Sequence, residues 1–326
     1  PMRRAALRAA AQAVEEAARA VAGVTNSEGG SASHSRTRFA LVTSHGFAGG
    51  YGLSGHSLSA SVIAGEGANM QRDYGWHSAH HLSDLESVGD IGTRAGTRAV
   101  ARLNPGKAPN GKAPVLFDPR VSGGIVGHLL GAIAGPAIAR GTSFLLGKED
   151  QLLFDRSIVI RDEPHRMRGL RSRAFDGEGL PTAARNLVED GKITGWLLDT
   201  ASAKQLGLTP TGHASRGGGA SGVGASNLHL AAGSVTPAAL MEGIADGVYI
   251  TELIGHGVNP VTGDYSRGAS GFLIRDGEIA GPIAEFTIAG NLIDMFAALV
   301  PANDLEFRHG TNAPTLRIDG MTVASS

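Results

Sequence analysis

Hydrophobic and polar positions repeat with two different periods in the first hundred residues. From Leu7 to Val21 larger apolar residues recur every seven positions among alanines, which predicts one amphipathic helix over residues 2–21. Over residues 57–64 apolar residues alternate with serines, the period of a half-buried strand. We predict a small antiparallel meander with strands at residues 37–43, 57–64 and 69–78, followed by a second helix at residues 91–103.

Residues 105–114 interrupt this pattern. The segment is rich in proline, glycine, asparagine and lysine, residues that favour turns and extended linkers over helices or strands. We therefore predict an amino-terminal α/β domain at residues 1–104, a linker at 105–114, and a second domain at 115–326. Because the chain opens on Pro1 before Met2, we expect that further residues precede it.

After the linker, short strands separated by glycine turns outnumber helices. Gly127, Gly131 and Gly135 share one face of a predicted buried helix, where another backbone can approach closely. Asp276-Gly277 is a strong signal for a tight hairpin turn. The predicted elements are strand 115–117, helix 122–139, strand 192–198, hairpin 272–275 with 278–280, strand 283–288, helix 291–300 and strand 315–318. The predicted fold class is α+β, with a β-rich carboxy-terminal domain.

Composition narrows the possible functions. The 326 residues include 29 basic and 30 acidic side chains, so no overall positive field favours direct nucleic-acid binding. The chain has no cysteine, which excludes disulfides and sulfur ligands and is compatible with a cytoplasmic location. Residues 121–139 carry no charge, but their glycines dilute the hydrophobicity too far for a membrane span. No signal peptide is predicted, because charged residues interrupt the first helix.

Two stretches match the spacing G-x-G-x-x-G of dinucleotide-binding loops. They comprise Gly50, Gly52 and Gly55, and Gly217, Gly219 and Gly222. A dinucleotide site requires such a loop to follow a strand and to open a helix. Strand-like patterns follow both stretches instead, so we reject both as nucleotide sites and interpret the glycines as turns or a flap.

The predicted buried helix contains part of a metal-binding motif. At His128 the sequence reads His-Leu-Leu-Gly-Ala-Ile, where a zinc peptidase motif would read His-Glu-x-x-x-His. Such a site needs a second imidazole for the ion and a carboxylate to take a proton from the bound water. Leu129 and Ile133 occupy those positions and can do neither. We predict no catalytic residue and no metal site here.

A polar loop lies between apolar strands at residues 251–271. It concentrates six side chains with hydrogen-bonding or ionic groups: Glu252, His256, Asn259, Thr262, Asp264 and Arg267. Polar density of this kind suits a peptide-binding or interface loop. Asn, Thr and Asp also bond neighbouring backbone in tight turns, so a structural role is equally supported.

The same loop, together with Phe-Asp-Gly-Glu-Gly at 175–179 and Ile-Ala-Gly-Asn-Leu at 288–292, resembles the TldD/PmbA family, once called modulators of DNA gyrase. Asn-Asp-Leu at 303–305 and the segment 314–323 fit the same pattern. TldD-like members carry His-Glu-x-x-x-His and complete a zinc site with a cysteine in a loop before the final strand. PmbA members, also called TldE, lack that site. Residues 306–313 contain no cysteine, which places this chain with the PmbA branch.

The resemblance implies a non-catalytic, PmbA/TldE-like subunit of a cytoplasmic metallopeptidase that acts on unfolded or small peptides. It implies no cofactor in this chain, and zinc only in a TldD-like partner subunit. An alternative is a homodimeric peptide-binding protein without protease activity. A third hypothesis is a hydrolase with a replacement site built from Glu252, His256 and Asp264, whose spacing matches no recognised ligand set. Neither direct nucleic-acid binding nor a membrane location is expected.

Overall fold

The computed structural model describes residues 4–216 and 222–325 and divides them into two compact units. The first unit contains the described residues up to Leu41 together with Ala48–Pro105. The second contains Val42–Phe47 and the described residues from Gly106 onward. Mixed helix and strand, with a β-rich carboxy-terminal region, confirms the predicted fold class.

In the first unit, two helices pack on one face of a three-stranded sheet of order β1-β2-β3. Its elements are α1 (Arg4–Arg19), β1 (Val24–Val42), β2 (Ala48–Ala64), β3 (Gln71–Ala79) and α2 (Val88–Ala101). Alternate residues of β2 point to the helices and are buried, as the alternation with serines predicts. The helices approach closely because α2 has glycine at position 92, where a Cβ would lie 2.5 Å from the carbonyl oxygen of Val14.

The strands of this sheet extend further than predicted. β1 begins at Val24 and β2 at Ala48, because hairpin hydrogen bonding continues through polar, exposed segments that show no alternation. At one end the Thr25 hydroxyl donates to the carbonyl of Gly65 at 2.6 Å. The first glycine motif, at residues 50–55, lies inside β2, so it is neither a nucleotide loop nor a turn. In the second motif, Gly217 and Gly219 lie outside the described residues.

The second unit is built around a closed ring of five strands. β4 pairs in parallel with β11, and β11–β12, β12–β13, β13–β16 and β16–β4 are antiparallel. β14 pairs with the first three residues of β16. These strands are β4 (Gly111–Phe117), β11 (Asp246–Ile254), β12 (Asp264–Arg275), β13 (Glu278–Asn291), β14 (Leu299–Pro301) and β16 (Leu316–Ser325). Closure gives each strand of the ring partners on both sides over part of its length.

A second sheet and several short helices complete this unit. The sheet has the strand order β15-β10-β5-β6-β7, and β8 pairs with β9. The remaining strands are β5 (Ile160–Asp162), β6 (Arg185–Glu189), β7 (Lys192–Ile193), β8 (Ala214–Ser215), β9 (Gly222–Val223), β10 (Leu228–Leu230) and β15 (Thr311–Asn312). The helices are α3 (Pro119–Ala132), α4 (Gly135–Ala139), α5 (Thr200–Leu206), α6 (Pro237–Met241) and α7 (Leu292–Ala297). Within residues 4–216 and 222–325, every helix is too short or too polar to span a bilayer.

Local turn chemistry predicted several elements correctly. Asp276 and Gly277 both have positive φ, and Arg275 pairs with Glu278, as expected for a hairpin with a two-residue turn. The predicted strand at 283–288 is one continuous strand with the preceding segment, β13. The predicted helix at 291–300 is the shorter α7, which Asn291 caps, and its last residues form β14 instead.

Three predictions about this unit were wrong. The helix at 122–139 is two helices, because the amide of Gly135 leaves the helical pattern and donates to the carbonyl of Leu197 at 2.7 Å. Pro136 lies in the first turn of the second helix, where its missing amide costs no helical hydrogen bond. The strand at 192–198 ends at Ile193, before Gly195 with a φ of 134°. Residues 111–114 of the predicted linker are not a linker but the start of β4.

Candidate functional site

Helix α3 places Leu129 and Ile133 of the incomplete metal motif on one side and His128 on another. Asp118 caps the helix, its carboxylate accepting from the amide of Arg120 at 2.9 Å, and Pro119 occupies the first turn. Leu129 is 1% exposed and Ile133 is 0% exposed, both within the large hydrophobic core. The two positions where the motif needs polar ligands therefore face the protein interior.

His128 lies on the other side of α3 and is half-buried. Its imidazole packs edge-on against the ring of Tyr265, with ring centroids 5.7 Å apart. Burial lowers the pKa of His128, and the positive charge of Arg267 lowers it further, which favours the neutral imidazole. In the described part of the chain the imidazole has no hydrogen-bond partner, so no hydrogen bond fixes its orientation.

Tyr265 and Arg267 come from strand β12 and share one face of it, because side chains two residues apart point the same way. Tyr265 is 1% exposed, and its hydroxyl has no hydrogen-bond partner among the described residues. Burial raises its pKa to about 12. The guanidinium of Arg267 donates to the carbonyl of Ile254 at 3.2 Å, and no described carboxylate lies within 4.0 Å of it.

The solvent-exposed side of α3 next to His128, Tyr265 and Arg267 carries several glycines and so few side-chain atoms. Gly124, Gly127 and Gly131 are exposed, and a Cβ at any of them would meet no described atom within 4 Å. The expectation that the glycine face lets another backbone approach stays a prediction at 127 and 131, where no other part of the described chain lies within 4 Å of the Cβ position. It is correct at Gly135, whose Cβ position lies 2.8 Å from the carbonyl oxygen of Leu197.

The polar loop between β11 and β12 contains a network of hydrogen bonds within the turn. The Thr262 hydroxyl donates to Asp264 at 2.6 Å, and the Asn259 side chain accepts from the amide of Val261 at 2.9 Å. The side-chain amide of Asn291 donates to the carboxylate of Asp264 at 3.2 Å. Hydrogen bonds from Thr262 and Asn291 lower the pKa of the Asp264 carboxyl. These hydrogen bonds within the turn support a structural role for Asn259, Thr262 and Asp264.

The other three predicted loop residues are positioned differently. Glu252 lies within β11 opposite Ser270 and is half-buried, whereas His256 is exposed near the start of the loop. Arg267 lies within β12 beside Tyr265 and His128. A binding role for the loop as a whole stays a prediction.

Sequence reasoning overlooked a buried polar network beneath the second sheet. Asp162 and Ser226 are each 1% exposed, and His213 is 2% exposed. The hydroxyl and amide of Ser226 donate to one oxygen of Asp162 at 2.5 and 2.9 Å, and His213 Nε2 lies 3.3 Å from the other. Because the carboxylate separates the serine from the histidine, the histidine cannot take the serine proton. This network fixes the loops around β5 and β10.

A second overlooked cluster lies between β10 and the loop before β15. Glu163 accepts from Arg166 at 3.0 Å, and its carboxylate lies 3.9 Å from Nδ1 of His229. The guanidinium of Arg166 stacks 3.2 Å from the centroid of the Phe307 ring, which also contacts His229 edge-on at 5.0 Å. The signal in the sequence was the five arginines of residues 161–173. Their clustering was hidden by the near-zero net charge of the whole chain.

The residues around α3 do not fit a zinc site of the His-Glu-x-x-x-His kind. A buried leucine and a buried isoleucine stand in place of the carboxylate and the second imidazole. In the loop before β16, Asn312 accepts from the amides of Arg308 and His309 at 2.9 and 2.8 Å and closes a turn. Across the described ranges, no three His, Asp or Glu side chains are grouped closely enough to hold one ion.

Comparison with known proteins covers nearly the whole chain. The sequence model of the PmbA/TldA metallopeptidase C-terminal domain matches residues 110–325, and that of the PmbA/TldA metallopeptidase central domain matches residues 4–103. The chain is 39% identical to Metalloprotease PmbA of Escherichia coli O157:H7 over 98% of its own length and 69% of the relative. It is 37% identical to the Metalloprotease PmbA homolog of Haemophilus influenzae, covering 97% of this chain and 69% of that one.

Solved structures agree with this assignment. A protein described as a modulator of DNA gyrase, from Bacteroides thetaiotaomicron, superposes with a TM-score of 0.91 at 29% identity, over 100% of this chain and 72% of that one. A second protein so described, from Thermotoga maritima, gives a TM-score of 0.91 at 27% identity, over 99% and 75%. TldE from Thermococcus kodakarensis shares the fold with a TM-score of 0.85 at 23% identity, over 96% and 72%.

Proposed function

The chain belongs to the PmbA/TldD metallopeptidase family, and from this membership we propose that it is the non-catalytic, PmbA/TldE-like subunit of a cytoplasmic peptidase. In this proposal a TldD-like partner subunit supplies the zinc ion and cleaves unfolded or small peptides. The chain itself contributes scaffold to the assembly and holds no metal.

The burial of Leu129 and Ile133 is the observation that carries this proposal. Both side chains are hydrocarbon and at most 1% exposed, so they can neither ligate a metal nor leave room for a polar side chain from elsewhere. A zinc peptidase needs at least three protein ligands and a group that accepts the proton of the bound water. His128 alone supplies one of them.

The experiment is reconstitution with a TldD-like subunit from the same organism. Peptidase activity on a short unstructured peptide is measured for each chain alone and for the equimolar mixture. We expect activity only in the mixture, or a large increase over the TldD-like chain alone. Exchange of His128 for Ala in this chain should leave the zinc content of the mixture unchanged, because the imidazole is not part of the zinc site.

An alternative function is a homodimeric peptide-binding protein that works without a peptidase partner. It is favoured by the polar groups of His128, Tyr265 and Arg267, whose hydrogen-bonding capacity the described residues leave largely unused. Analytical ultracentrifugation of the chain, alone and with the TldD-like subunit, separates the two. A stable self-dimer that ignores the partner but binds unfolded peptides would support the alternative.

A further inference from the structure

Three polar side chains with unused hydrogen-bonding capacity converge beside helix α3. Arg267 uses one donor, on the carbonyl of Ile254, and has no carboxylate partner among the described residues. His128 has no hydrogen bond in that same part of the chain. Tyr265 is 1% exposed with an unpartnered hydroxyl. Buried hydroxyls nearly always have a partner, so an unpartnered one next to an unpaired arginine points to a ligand.

The chemistry of the three groups defines the charge of that ligand. A guanidinium presents donors only and remains charged at every physiological pH, and a phenol with a pKa near 12 also donates. Neutral imidazole donates through one of its two nitrogens. No acidic side chain among the described residues neutralises Arg267 within 4.0 Å. The set therefore complements an anion, and the planar fork of the arginine matches the two oxygens of a carboxylate.

The surface beside the group indicates how this carboxylate arrives. Gly124, Gly127 and Gly131 leave the adjoining face of α3 without side chains and without neighbours within 4 Å. A peptide main chain can lie directly against such a face, whereas a lone acidic side chain would not need it. His128 packs edge-on against the Tyr265 ring and has no hydrogen bond to any described residue, so no hydrogen bond prevents the imidazole from moving aside for a ligand.

We propose that Arg267, Tyr265 and His128 form a binding site for the carboxy-terminal carboxylate of an extended peptide that lies along the glycine face of α3. The site deepens the proposed function, on which it rests, by naming the end of the peptide that this subunit holds. Arg267 binds the carboxylate oxygens, Tyr265 donates to one of them, and His128 covers the site.

Fluorescence anisotropy on the full chain tests the site directly. The probes are a labelled penta-alanine peptide with a free carboxylate, the same peptide ending in carboxamide, and a carboxamide peptide whose last residue is Asp. We expect the free carboxylate to bind at least about tenfold tighter than either amide, since a hydrogen bond to a charged group contributes about that factor or more. Equal binding of the free acid and the plain amide overturns the proposal, and equally tight binding of the Asp peptide overturns the assignment to a chain end.

Two substitutions locate the binding. Arg267→Gln should remove the preference for the free acid, while Arg275→Gln, on the same strand in an exposed pair with Asp246, should preserve it. Tyr265→Phe should weaken binding of the free acid about tenfold without lowering the melting temperature, because it removes a hydroxyl that bonds no described residue. Tyr74→Phe in the first unit is its control. Unchanged binding by Tyr265→Phe would mean that water satisfies the hydroxyl and would overturn the three-residue site.

The test of the carboxylate site and the test of the proposed function can succeed or fail independently. A chain that activates a TldD-like subunit but shows no preference for the free acid retains the proposed function and loses the carboxylate site. A chain that prefers the free acid but never associates with such a subunit supports the site and contradicts the proposed function.

Discussion

Exchange of Leu129 for Ala tests whether the incomplete metal motif is part of the core. The side chain is 1% exposed and packs in the main hydrophobic cluster of the second unit. Removing a buried leucine side chain costs about 2–5 kcal/mol, through lost burial and the cavity that remains. Leu129→Glu should cost at least as much, because it loses the same packing and places a carboxylate in an apolar site.

Tryptophan fluorescence makes this measurement specific to the second unit. The chain has 2 tryptophans, Trp76 in the first unit and Trp196, which is 8% exposed, in the second. In a Trp76→Phe background, the emission of Trp196 during urea unfolding reports on the second unit. The free energy of unfolding is then compared between this background and the same background carrying Leu129→Ala.

Gly127→Ala is the matched control on the same helix. Gly127 is exposed, and its added Cβ would meet no described atom within 4 Å, so the exchange should stabilise the unit by up to about 1 kcal/mol through helix propensity. A loss below about 1 kcal/mol for Leu129→Ala would refute the assignment of this face of α3 to the core. Destabilisation by Gly127→Ala would contradict the exposure of that position.

Three further predictions concern the second unit. Burial lowers the pKa of His128, so the unfolded chain binds the proton more readily than the folded chain does. The free energy of unfolding should therefore fall as the pH drops below about 6.5. His128→Gln should reduce that fall, measured by urea titrations at pH 7 and pH 5. Gly271→Ala should cost about 1–3 kcal/mol in the same assay, because its Cβ would lie 1.9 Å from the carbonyl oxygen of Tyr249; no loss would contradict the strand register there. Asp162→Asn should lower the thermal melting temperature, because it weakens bonds to the buried Ser226 worth about 1–3 kcal/mol; an unchanged melting temperature would contradict that role.

Local signals in the sequence were sufficient for elements that local physics determines. The Asp276-Gly277 hairpin followed from two residues that tolerate positive φ, and α1 followed from its apolar repeat. The pattern of short strands and few helices indicated the α+β class, and the family resemblance indicated the PmbA/TldD assignment. The lengths of β1 and β2 were missed, since backbone pairing extends through polar residues that carry no alternation.

Properties that depend on distant contacts were beyond the reach of the sequence. Closure of the five-stranded ring requires β16 to pair with both β4 and β13, and no local pattern states that pairing. Tyr265 lies within the polar segment at residues 251–271, but its unpartnered hydroxyl is visible only once β12 packs beside α3. The break after α3 likewise depends on the bond from Gly135 to Leu197, a contact between separate segments.

The zinc content of a reconstituted complex tests the central claim most directly. Native mass spectrometry of this chain, mixed with a TldD-like subunit and zinc, gives the composition of the assembly and the number of ions in it. We predict an assembly containing both chains, one zinc ion for each TldD-like subunit, and no tightly bound zinc in this chain alone. One zinc ion per copy of this chain in the absence of the partner, together with peptide cleavage, would contradict this prediction.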